Sequence, residues 1–169
     1  MYKRANTIIQ DWYTNALKTN DFSESLQLAV LDLLDMPEIP DECEDLNISI
    51  NGISVISKLP RNLKHLNASF NHLDLLPDLP EGLETLDIYS NRFVEIPRLP
   101  STLKTLNIGY NALGNLTELP NLITLKAYGC SLTSLPNLPV TLNEVYLHRN
   151  KFTDIPDLSY LYNLKTIKF

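Results

Sequence analysis

Very little in this chain of 169 residues could carry chemistry: it has two cysteines, three histidines and five glycines. The glycines form no phosphate-cradling loop, and no Ser-His-Asp set or paired metal motif accompanies them. Long apolar runs are missing too. The longest, Leu28 to Leu31, falls far short of the roughly 20 residues a membrane-spanning helix needs, and no segment has the pattern of a signal peptide. Basic charge is scarce, with 14 Lys and Arg against 20 Asp and Glu and a net charge of −6. Without a basic stripe to neutralise phosphates, nucleic acid is not an expected partner. Most of the acidic excess sits early: residues 1–45 carry −7 and residues 46–169 carry +1. Asp35, Glu38, Asp41, Glu42, Glu44 and Asp45 lack the spacing and turn glycine of a calcium loop, and read as a solvated face.

Leucine, proline and asparagine, by contrast, recur in register. From Leu59 the chain repeats LP-xx-L-xx-L-x-[I/A/L]-xx-N-x-[L/F], with repeats starting at Ile39, Leu59, Leu79, Leu99, Leu119, Leu138 and Leu158. The spacing is about 20 residues, with one residue missing after Pro120, where Pro120-Asn121-Leu122 shortens the approach to the next leucine. Asparagine fills one column at Asn51, Asn71, Asn91, Asn111 and Asn150, with Cys130 taking its place in the fifth repeat. This is the leucine-rich-repeat pattern at its short end.

Each repeat supplies a short strand in which alternate residues face inward, as Leu66 and Ala68 do in His65-Leu66-Asn67-Ala68-Ser69. Stacked repeats give an α/β solenoid with a parallel concave sheet. All 11 prolines fall in or beside the return segments and none interrupts a strand, so the convex side is expected to be extended or polyproline-like. The asparagines are expected to satisfy backbone groups at the strand-to-return bend.

The first 36 residues differ in pattern. Ile8, Ile9, Trp12, Tyr13, Ala16 and Leu17 follow a helical period, and Leu26, Ala29, Val30, Leu33 and Leu34 follow another, with Asp21-x-x-Glu24 as a start signal between them. A two-helix cap over residues 1–36 is therefore expected, covering the exposed end of a solenoid at 37–169 that holds about six full repeats and a partial seventh. Two additional residues precede Leu164 in that partial repeat, and its edge strand is a candidate for self-association.

The register also tests the reactive side chains. Cys43 and Cys130 occupy inward positions four strands apart, roughly 19 Å at about 4.8 Å per strand, which is beyond disulfide reach and implies reduced, structural thiols. His65 and His148 are separated in the same way and cannot share a metal. No cofactor and no enzymatic activity are expected of this chain.

What remains is the outward face of the strands. Phe70, Tyr89, Tyr110, Tyr128 and Tyr146 collect there, flanked by Lys126, His148, Arg149 and Lys168. Tyrosine favours strands on any sheet. Because leucine, isoleucine and alanine fill the inward positions, though, these rings are expected on the exposed side, where tyrosine and arginine dominate protein-binding surfaces. Phe70, Tyr89, Tyr110, Lys126, Tyr128, Tyr146, His148 and Arg149 are the candidate partner-binding residues.

The run from Leu59 to Leu73 and its copies at 79, 99 and 138 resemble the LPX-type bacterial leucine-rich repeats of the YopM and IpaH effector family. Ile9-Gln10-Asp11-Trp12-Tyr13, followed by Leu26-Gln27-Leu28-Ala29-Val30, is similar to the helical hairpin before those repeats. The resemblance implies a virulence protein of a Gram-negative bacterium, carried by type III secretion into the host cell cytoplasm to bind host proteins. Two other roles stay open: the substrate-recognition part of an IpaH-type ubiquitin ligase whose catalytic domain lies elsewhere, and an adaptor or immunity protein that remains in the bacterial cytoplasm. Cys43-Glu44-Asp45 has the letters of the ligase Cys-x-Asp motif, but Cys43 sits at an inward leucine position, so the catalytic role is not carried over.

Overall fold

A computed structural model describes residues 2–154 and 156–169; Met1, the first residue of the expected cap, and Ile155 lie outside the described residues. Helix α1 (Tyr2–Thr19) leads into eight strands: β1 (Leu26–Gln27), β2 (Asp45–Asn47), β3 (His65–Asn67), β4 (Thr85–Asp87), β5 (Thr105–Asn107), β6 (Thr124–Lys126), β7 (Glu144–Tyr146) and β8 (Thr166–Lys168). They form one parallel sheet in sequence order. Leu46, Leu66, Leu86, Leu106, Leu125, Val145 and Ile167 align across it in successive pairs.

Inward positions hold the core. Leu63, Leu83, Leu103 and Leu122, with Ile48, Ala68, Ile88, Ile108 and Ala127, are fully buried in one continuous cluster. Ordering a three-residue strand is costly by itself, so the stack of leucines, each burial contributing roughly 1.5–3 kcal/mol, holds the solenoid together.

The return segments contain no helix or strand among the described residues. Five of them deliver the chain to the next strand through a tight turn beginning at a proline: the N–H groups of Cys43, Leu63, Leu83, Leu103 and Leu142 donate to the carbonyls of Pro40, Pro60, Pro80, Pro100 and Pro139. Where the fifth repeat lacks a residue, the N–H of Leu122 bonds the carbonyl of Pro120 at 2.7 Å, closing a three-residue turn in place of a four-residue one. The register of the sheet survives the deletion because the turn absorbs it.

The expected second helix is not a helix. Leu26 pairs with Leu46 and Gln27 with Asn47 as the first strand of the sheet, and the N–H of Leu28 donates to the carbonyl of Asn47 at 2.7 Å. Leu26, Leu28, Leu31 and Leu33 are buried at the inward positions of a further repeat, with Leu31 standing where asparagine would be. Apolar residues at these offsets suit a helix face as well as a repeat. The strand wins because it pairs the backbone groups of β2, which a helix would leave unmatched at a sheet edge. Helix α1 covers this first repeat with Ala5, Ile9, Trp12 and Ala16, and the indole N–H of Trp12 donates to the carbonyl of Glu24 at 2.8 Å.

At the end of each strand the residue before the asparagine column is left-handed: φ is 53° at Ile50, Phe70 and Ser90, 52° at Tyr110 and 58° at Arg149. The asparagine side chain holds this bend. Asn71 donates to the carbonyls of Ile48, Ala68 and Ser69, and its Oδ1 accepts the N–H of Ile53 at 3.0 Å. Asn51, Asn91, Asn111 and Asn150 make equivalent bridges to the preceding repeat. In the two repeats without asparagine, the residue after that position also turns left-handed, Asp32 at 55° and Ser131 at 59°. A bend that the amide otherwise fixes then needs a second strained residue.

Candidate aromatic and basic interface

The strands place their outward residues on the side of the sheet away from the leucine core. Over β2–β5 this face is polar and partly self-satisfied. Asn47, Asn67, Asp87 and Asn107 each accept, through Oδ1, the N–H two residues on, from Ser49, Ser69, Tyr89 and Gly109. His65 hydrogen-bonds Thr85 at 2.8 Å, and Asn107 donates to Asp87 at 3.0 Å. A shallow groove of about 410 Å³ runs over these residues to Lys126. Half of this column therefore serves the backbone as well as the surface.

The rings lie beside and beyond that groove. Phe70 packs edge-on to Tyr89 with centroids 4.9 Å apart; Tyr89 meets Tyr110 at 5.5 Å and Tyr128 at 5.7 Å; Tyr110 meets Tyr128 at 5.7 Å. His148 stacks on Tyr128 at 4.7 Å with the two planes only 6° apart. Arg149 lies over the Tyr110 ring at 5.9 Å and donates to its hydroxyl. Six of the eight residues expected from the sequence thus form one connected patch. The other two form a second group, in which Lys126 and Lys168 approach the Tyr146 ring from either neighbouring strand at 5.8 and 5.3 Å.

Two glycines make this packing possible. A Cβ on Gly109 would come within 3.1 Å of both Tyr89 and Tyr128, so its absence lets the two rings meet across β5. Gly129, at φ 66°, faces the Tyr110 ring, where a Cβ would stand at 3.3 Å. Nothing in the repeat pattern singles out either glycine, because the need for space arises from rings one repeat away. Phe70 and Tyr110, on the bends, are exposed at 49% and 37%, while Tyr89 and Tyr128, packed on each other, and Tyr146, between Lys126 and Lys168, are half-buried. Burial raises the Tyr128 hydroxyl above its ordinary pKa, helped by Tyr89 and Asp87, so it is a neutral hydrogen-bonding group at physiological pH. The Nδ1 of His148 is buried without a hydrogen-bond partner.

The two thiols stay inside. Burial pushes Cys43 up to about 12 and raises Cys130, whose Sγ donates to the carbonyl of Ile108 at 3.1 Å where asparagine would otherwise reach. No group of three or more His, Cys, Asp or Glu that could hold a metal ion occurs among the described residues. No described helix is long and apolar enough to cross a membrane.

Stacked short strands, an asparagine ladder and a ring-lined outer face define a leucine-rich-repeat protein, and the Leucine Rich Repeat family model matches residues 62–83. The structure is similar to a Shigella effector leucine-rich-repeat domain, with 34% identity over 91% of this chain and 68% of that one and a TM-score of 0.80. It is also similar to YopM of Yersinia enterocolitica WA-314 (33% identity, 81% of this chain, 30% of that chain, TM-score 0.77) and to the leucine-rich effector YopM of Yersinia pestis (28%, 98%, 52%, 0.84). The chain belongs to the family of bacterial leucine-rich-repeat effector domains. It spans 30% and 52% of the two YopM chains. No curated protein sequence matches it.

Proposed function

We propose that this chain is a non-catalytic protein-interaction module of a type III secreted effector, and that it binds a host protein in the host cell cytoplasm through the concave face of its sheet. The observation that carries this reading is the patch from Phe70 to Arg149, where aromatic rings are held on the outside although the core is complete without them. Exposed clusters of tyrosine with arginine have the composition of binding hot spots. The similar structures from Yersinia pestis and Shigella are effectors, which supports delivery into a host. Capture from host lysate tests the reading, using the wild-type chain beside one altered at Tyr89 and Tyr128. A protein retained only by the wild type is the expected result, and equal retention by both refutes the role of the face.

The resemblance of the repeats at 59, 79, 99 and 138 to those of the IpaH effectors supports a second reading, in which the chain selects substrates for a separate ubiquitin-ligase domain. Catalysis would belong to that separate domain, since Cys43 is buried and its thiol held protonated. Self-association at the edge of β8, where Ile167 and Phe169 are exposed, would appear as concentration-dependent sedimentation and is absent if the chain stays monomeric at high concentration.

A further inference from the structure

Seven of the 14 cations of this protein make one of two kinds of contact. Lys58 and Arg61 pair with Asp41, Lys64 with Glu44, and Lys104 with Glu84, at 2.7–3.3 Å. Lys126, Arg149 and Lys168 have no carboxylate within 4.0 Å among the described residues, and rest instead on tyrosine rings. Acids are not in short supply, since they outnumber bases by 20 to 14. The one acid among the outward residues of β6–β8 is Glu144, which accepts a hydrogen bond from Tyr146 at 3.4 Å. Over β2–β4 the sign is reversed, with Asp45 and Asp87 on the same side of the sheet. The face is thus electrically polar along the solenoid, and its positive end lies on a chain of net charge −6.

We propose that β3–β8 receive an extended acidic segment of a partner protein, with apolar side chains on the rings from Phe70 to Tyr128 and carboxylates over Lys126, Arg149 and Lys168. The proposal rests on the binding role of this face and adds the chemistry and direction of its occupant. The rings run from the repeat of β3 to that of β7, four strand spacings or roughly 19 Å, which about six extended residues would span at about 3.3 Å each. Rings supply apolar area and orientation, and unpaired cations supply the sign. An acidic segment gives Lys126, Arg149 and Lys168 the charged acceptors that the protein itself withholds.

Selection of a random peptide library on the full chain tests this, followed by titration of the recovered peptides in low and high salt. The expected peptides carry apolar residues beside a cluster of Asp or Glu. Their affinity should fall about tenfold or more in the Lys126→Glu/Lys168→Glu variant and weaken with salt. Lys126→Gln/Lys168→Gln, which removes charge without reversing it, gives a smaller loss and guards against misfolding, with the melting temperature of each variant checked. Peptides that lose binding in Tyr128→Ala but are neutral or basic overturn the acidic occupant and leave the binding face intact. Recovery of no peptide, or of peptides insensitive to both the lysine and the tyrosine variants, overturns both readings.

Discussion

Asn150 spans the gap that Cys130 leaves in the ladder: its Oδ1 accepts the N–H of Cys130 at 2.9 Å and that of Leu132 at 3.0 Å. Asn51 does the same for Leu31 and Leu33, on the far side of the other repeat that lacks asparagine. An amide facing a missing neighbour takes over that neighbour's donor. The amide of the following repeat thus holds two backbone N–H groups wherever the column is interrupted.

Asn71→Ala tests the ladder where it is continuous. Asn71 is 5% exposed, and its removal strands the N–H of Ile53, at about 1–3 kcal/mol for a group left unpaired in the interior, while the carbonyls of Ile48, Ala68 and Ser69 keep a second donor from Asn51, Asn91 and Ile50. Urea denaturation should show a loss of at least about 1 kcal/mol. The exposed Asn121→Ala should stay within about 0.5 kcal/mol. Equal effects at the two sites would refute a structural role for the column.

Truncating the centre of the ring patch should separate binding from folding. Tyr89→Ala combined with Tyr128→Ala is expected to weaken partner binding by at least about 2 kcal/mol while the far-ultraviolet circular dichroism is unchanged. Normal affinity in the double variant would reduce the patch to strand propensity.

Gly109→Ala asks whether the spacing of the rings matters apart from their presence. The added methyl would meet Tyr89 and Tyr128 at 3.1 Å and drive the rings apart, with a modest stability cost of about 1–3 kcal/mol. Ring chemical shifts at both tyrosines should move and partner affinity should fall. Unshifted tyrosine resonances would show that the rings do not meet across β5.

The thiols give a pH-dependent test. Cys43 is raised from its ordinary value of 9.0 to about 12 by burial, so it stays protonated in the folded state while the unfolded thiol ionises. Stability is then fully present below about 9 and declines as pH rises toward 12, because the unfolded state loses the proton first. Chemical denaturation from neutral to alkaline pH should show the decline, reduced in Cys43→Ala. Both thiols should resist Ellman's reagent until the chain unfolds, and prompt labelling of the native protein would overturn their burial.

The sequence by itself determined the repeat, its register and the side of the sheet on which each residue lies. A strand has a strict period of two, and a solenoid copies that alternation every 20 residues, so Leu106 and Leu125 had to be inside and Tyr89 and Tyr128 outside. It also fixed the separation of the two cysteines. Tertiary structure alone decided the fate of residues 26–33. Their leucines satisfy a helical period and a repeat equally, and only the unpaired edge of β2 selects the strand. It decided as well which outward residues touch: Arg149 reaches Tyr110 across 39 positions of sequence, and Gly109 leaves room for rings on either side of β5. Periodicity carries the direction of a side chain, but its neighbours on the face depend on strand stacking and on the bend at the end of each strand.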